Sequence, residues 1–171
     1  MMANTILDQA GLPVKRGPVD GSPAAKYGVG MEQDDKIHFH DLSEAERKTL
    51  LADLSRELSG AAGIRLAYAF GSFVRGEPFR DLDVAVVLED AGDWRRPGRL
   101  AARLQECLTS FPASIEVVPL NDAPPVFRKQ VADEGTLLYE AVPGESAEFW
   151  VRATSEWMDL NAWLESHGMV A

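Results

Sequence analysis

Eight consecutive residues, Asp81-Leu82-Asp83-Val84-Ala85-Val86-Val87-Leu88, limit the folds open to this chain more than any other stretch. Side chains alternate along an extended backbone, so Asp81, Asp83, Ala85 and Val87 share one face while Leu82, Val84, Val86 and Leu88 share the other. Both faces are apolar beyond Asp83, which is the pattern of a central strand covered on each side. A sheet with helices packed against it follows. The two carboxylates open this strand on one face, about 6.6 Å apart at the backbone, and such a pair repels itself unless a cation sits between.

Upstream, Leu66 to Phe70 is a short apolar and aromatic run that suits a buried strand, and Gly71-Ser72 then turns the chain. A glycine there allows close backbone approach to a ligand. Successive amides and the Ser72 hydroxyl can face phosphate oxygens if a helical turn starts at Phe73, and Arg75, three residues on, is placed either near those phosphates or as a solvated turn residue. Arg80 is a further, weaker cation candidate. Magnesium suits the acidic pair because it takes hard oxygen ligands and completes its shell with substrate phosphates and water. The β-branched run Ile115-Glu116-Val117-Val118 offers a third carboxylate, Glu116. Beside the Asp81 strand it would let three acidic groups hold two cations about 3.5–4 Å apart, as in-line nucleotidyl transfer uses. On an edge strand Glu116 is otherwise a plain surface residue.

The order of Gly71-Ser72, Arg75-Gly76-Glu77, Asp81-x-Asp83 and an apolar strand with Glu116 resembles the minimal nucleotidyltransferases (MNT) of the DNA polymerase β superfamily. The run Glu116 to Pro125, followed by Phe127-Arg128 and Gly135 to Tyr139, resembles the bacterial branch that serves as antitoxins to HEPN toxins. The likeness spans about Ser43 to Glu140. Within it the loop from Ser72 to Asp81 is shorter than usual, and glutamate stands at 116 where aspartate is usual. The resemblance implies a polymerase-β-like α/β (α+β) fold, with helices against a small mixed sheet. It implies a nucleotide site at Gly71, Ser72 and Arg75, two Mg2+ ions on Asp81, Asp83 and Glu116, and ATP as donor. Glu116 would also orient or deprotonate the acceptor hydroxyl. The expected acceptor is a tyrosine of a HEPN-type toxin, which would receive AMP. An aminoglycoside-type antibiotic is the other acceptor, and a binding module that neutralises its partner sterically is the non-enzymatic reading.

The rest of the chain is consistent with one such domain. The 171 residues carry 27 acidic against 17 basic side chains, a net charge of −10. That balance argues against direct nucleic-acid binding, which needs clustered Lys and Arg. Residues 1–36, rich in Gly and Pro without periodicity, are expected to form an irregular extension, residues 37–142 the nucleotidyltransferase domain, and residues 143–171 a helix packing on the domain or on a partner. No apolar run is long enough to span a bilayer and the start carries no export pattern, so a cytoplasmic protein is expected.

Ser43-x-x-Glu46 predicts a capping box ahead of a helix with an apolar stripe of Leu50, Leu51, Leu54 and Leu58, ended by Gly60. Arg96 to Thr109 predicts a second helix with Leu100, Leu104, Cys107 and Leu108 inward. A third begins after Asp122 and stops before Gly135, and Thr136 to Glu140 reads as a last strand. Glu145 to Ser166 predicts a helix with Phe149, Ala153, Trp157, Leu160 and Leu164 along its buried stripe. Trp150 and Trp163 lie off that stripe, either completing the core or facing a partner. Ile37 to His40 alternates like a short strand with His38 and His40 on one face, a surface strand in preference to a metal site.

Overall fold

The computed structural model describes residues 38–169. Four strands, β1 (Ile64–Phe70), β2 (Asp81–Leu88), β3 (Ser114–Pro119) and β4 (Thr136–Glu140), form one sheet of order β3-β2-β1-β4. β1 is antiparallel to β2 and β4, whereas β2 and β3 run parallel, so the sheet is mixed as expected. β2 is an interior strand, as its two apolar faces demand.

Four helices, α1 (Glu44–Ser59), α2 (Arg96–Cys107), α3 (Pro125–Glu134) and α4 (Glu145–Ser166), cover it. Leu82, Val84, Val86 and Leu88 pack with Leu54 and Leu58 of α1 and Leu100 and Leu104 of α2. On the other face Ala85 and Val87 join Leu66, Tyr68, Val131 of α3 and Phe149 of α4. Alternation within one strand thus divides the core into two layers. The carboxylates open onto the face that carries α3 and α4.

Local chemistry sets the element ends. Ser43 and Glu46 form the reciprocal capping box, and Gly60 closes α1. Gln105 of α2 accepts from the Ile115 amide at 3.0 Å and donates to the Ala113 carbonyl at 3.2 Å, satisfying the outer edge of β3 beside Glu116. Arg65 pairs with the buried Glu145 at the start of α4, and Arg128 of α3 pairs with Glu156 of α4 at 2.8 Å.

Expectations are corrected at Cys107, along the stripe of α4 and at His38. Cys107 is exposed, and the nearby Glu57 carboxylate pushes its thiol pKa up, so it lies at the α1–α2 rim and not in the core. The stripe of α4 is buried only at Phe149 and Ala153, while Trp157 is 37% exposed. At 1.5 Å per residue α4 is about 33 Å long and α3 about 15 Å, so the outer half of α4 runs beyond the helix that covers it. Trp150 and Trp163 are exposed and do not complete the core; Lys129 lies 5.4 Å from the Trp150 ring and 5.8 Å from the Trp157 ring. His40 makes a single bridge to Phe79, with no strand at His38. The expectation for residues 1–36 falls outside the described residues.

Candidate functional site

The parallel register of β2 and β3 places Asp83 opposite Glu116 and Asp81 opposite Ser114. Antiparallel pairing of β1 with β2 places Phe70 opposite Asp83, so Gly71 follows directly beside that carboxylate. Gly71 has φ of +80°, and a Cβ there would lie 2.7 Å from the Asp83 carboxylate oxygen. Only glycine satisfies both the backbone conformation and the close approach.

Beyond Gly71 the chain forms overlapping turns in place of a regular helix. The Arg75 amide donates to the Gly71 carbonyl at 3.3 Å, the Gly76 amide to Phe73 at 3.3 Å and the Glu77 amide to Ser72 at 3.1 Å. The amides of Ser72, Phe73 and Val74 have no acceptor among the described residues. Three successive donors after a left-handed glycine, next to a carboxylate strand, suit anionic oxygens bound together with a cation. Phe73 and Phe79, both buried, pack edge to face at 5.1 Å, and Phe111 stacks on Phe79 at 5.9 Å, so the turn is anchored from inside.

The electrostatics of the carboxylates are uneven. Asp83 is half-buried, and its pKa is pushed up to about 6 by burial and then by the charges of Asp81 and Glu116, with Arg80 opposing. Arg80 donates from Nε and Nη2 to Asp81 at 2.9 and 2.8 Å. Glu116 is exposed. Arg75 pairs with Glu77 at 3.0 Å on the surface, so the cation in direct contact with the acidic set is Arg80.

This donor set fits a hard dication. All its ligating atoms are carboxylate oxygens, and a bound dication would oppose both the burial and the neighbouring charges that push the Asp83 pKa up. No three acidic, His or Cys side chains among the described residues are already drawn into a cage. Asp81 is instead engaged by Arg80, and magnesium sites of this kind complete their shell with water and substrate phosphates.

Two supports of the turn are absent from the sequence motifs: the aromatic anchor and the buried Arg47, which donates to the turn from α1. A signal for Arg47 existed: it lies four residues before Leu51 and seven before Leu54, on the apolar stripe of α1.

Residues 52–143 match the family described as "Polymerase beta, Nucleotidyltransferase". No curated protein matches the chain. Among solved structures, the chain is similar to one in the tri-AMPylated Shewanella oneidensis HEPN toxin in complex with MNT antitoxin (23% identity, TM-score 0.56, covering 70% of this chain and 93% of that one). It is also similar to a chain of a toxin–antitoxin with AMP-PNP (27% identity, TM-score 0.54, covering 73% and 94%). The toxin–antitoxin MntA-HepT gives 24% identity and a TM-score of 0.53 over 72% and 94%. At 23% and 24% identity the likeness establishes the fold.

Proposed function

We propose, since the chain belongs to the polymerase β nucleotidyltransferase family, that it is an antitoxin which transfers AMP from ATP to a hydroxyl, expected to be a tyrosine, of a HEPN-type toxin. The observation that carries this reading is the juxtaposition of Asp83, Glu116 and Gly71 across three adjacent strands, with the Ser72 to Val74 amides beside them. Similarity to solved toxin–antitoxin complexes, one of them holding AMP-PNP, supports the donor and the partner class. The exposed Trp150, Trp157 and Trp163 of α4 suit a protein partner, because large aromatic side chains concentrate contact energy at interfaces.

In this reading Gly71 and the amides after it cradle the triphosphate, and Ser72 adds a hydroxyl donor. Asp81, Asp83 and Glu116 would hold Mg2+, expected as two ions, which would supply charge neutralisation on the phosphates and the leaving group. Glu116 orients the acceptor hydroxyl and takes its proton as the oxygen attacks the α-phosphorus. The bond from that phosphorus to the β-bridging oxygen breaks, and pyrophosphate leaves. Arg80 releases Asp81 and becomes a free cation beside the phosphates, while Arg75, at the outer end of the turn, can reach them only by leaving Glu77. Positioning and electrostatics provide most of the rate in such a site.

No helix among the described residues is long and apolar enough to cross a membrane. The reading sets the reaction in the cytoplasm, where ATP and such a toxin would both be met. The test uses ATP labelled at the α- or γ-phosphate with magnesium and a HEPN-type toxin that co-purifies with this chain. Label from the α position should appear on the toxin and label from the γ position should not. Transfer of γ label, or transfer to an aminoglycoside with the protein left unmodified, would overturn the reading.

A further inference from the structure

A turn that binds phosphate through its amides must be held still, and the group that holds this one lies on the side of the sheet away from the carboxylates. Arg47 belongs to α1 and is only 7% exposed. Its Nη1 donates to the Phe73 carbonyl at 2.7 Å, its Nη2 to the Glu77 carbonyl and to Asp41 Oδ1 at 3.0 Å each, and its Nε to the Leu42 carbonyl at 2.9 Å. The guanidinium also lies 5.3 Å from the Phe73 ring and 5.1 Å from the Phe79 ring. The contacts therefore bracket the turn that follows Gly71 at both ends.

A methionine or leucine at this position of the stripe would fill the space without burying a charge, and burying a guanidinium needs excellent geometry to offset its desolvation. What the guanidinium adds is a planar fork that reads two carbonyls at once. In a trans peptide the C=O and the following N–H point in opposite directions, and the chain has no cis peptide among the described residues. Holding the Phe73 carbonyl toward α1 thus directs the Val74 amide away from α1, toward the side on which Asp83 and Glu116 stand.

We propose that Arg47 is a positioning residue of the triphosphate site: it fixes the peptide planes of the Ser72–Glu77 turn from beneath, without touching the nucleotide. This rests on the nucleotide-binding reading above. A lysine has the charge but one nitrogen with three N–H donors, so it cannot serve the Phe73, Glu77 and Leu42 carbonyls and Asp41 together as the three nitrogens of the guanidinium do.

The test compares the wild-type chain with Arg47→Lys and Arg47→Met, measuring the Kd of Mg·AMP-PNP by calorimetry and amide hydrogen exchange by residue. Both variants should bind AMP-PNP about tenfold or more weakly. Exchange should quicken at the Arg75, Gly76 and Glu77 amides while the β1 and β2 amides keep their protection. In turnover KM for the nucleotide should rise more than kcat falls, a division that general loss of stability does not produce. If Arg47→Met fails to fold, Arg47→Lys decides alone. Rescue by lysine to within about twofold of wild type, or acceleration spread evenly over the sheet, overturns the proposal while leaving the nucleotide reading intact. A wild-type chain that binds no Mg·AMP-PNP overturns the nucleotide reading, and this proposal with it.

Discussion

Asp83 carries the main electrostatic stress of the metal-free protein. Its carboxyl is pushed from 3.8 up to about 6, chiefly by burial and next by Asp81 and Glu116, so the folded state holds that proton more tightly than the unfolded chain does. The native state therefore suffers no penalty below about pH 4, loses stability as the pH rises from there to about 6, and stays at the lower value above. Because the group is half-exposed, screening reduces the effect to about 1 kcal/mol. Asp83→Asn should be more stable than wild type by about that amount at pH 8 without magnesium, and should lose the advantage near pH 4 in urea titrations; it should also abolish transfer. Equal stability at both pH values would contradict the electrostatic account, and near-normal turnover would remove Asp83 from the metal set. At Gly71, where φ is +80° and a Cβ would meet the Asp83 oxygen at 2.7 Å, Gly71→Ala should destabilise by about 1–2 kcal/mol in thermal melts. An unchanged melting temperature would contradict the geometry.

Elements differ in how plainly the sequence announced them. β2 declared its interior place because Leu82, Val84, Val86 and Leu88 on one face and Ala85 and Val87 on the other are all apolar, and each set meets a different helix pair. Ser43 and Glu46 declared the start of α1 because a capping box is made within four residues. The neighbour relation of Asp83 and Glu116 was legible only as a condition, since strand order is a tertiary fact that alternation does not encode. Cys107 and Trp157 misled for a related reason: helical period fixes a face, whereas the extent of the covering partner decides how much of that face is buried. Spacing marked Arg47 only as a residue on the α1 stripe; its partners in the turn, like those of the Phe73–Phe79–Phe111 anchor, lie far away in the chain, and no local spacing reveals them. The contrast along α4 can be measured. Phe149→Ala should cost about 3–5 kcal/mol as a buried aromatic deletion, whereas Trp163→Ala should shift stability by less than about 0.5 kcal/mol yet weaken partner binding. Equal losses of stability would show that the outer half of α4 is packed after all.

At the scale of the molecule, the net charge of −10 and the exposed aromatic side chains of α4 describe a surface suited to a protein acceptor better than to a polyanion. Association with a basic partner should weaken as salt rises, because exposed charges are screened beyond roughly 8–10 Å at physiological ionic strength. A titration with Kd independent of salt would assign the contact to the apolar residues instead. Nucleotidyl transfer itself is most directly tested by weighing the co-purified partner intact after incubation with ATP and magnesium. The partner should gain one or more AMP masses with the wild-type chain and none with Glu116→Gln. A partner whose mass stays unchanged with the wild-type chain, while its toxicity is still neutralised, would contradict catalysis and leave steric binding as the function.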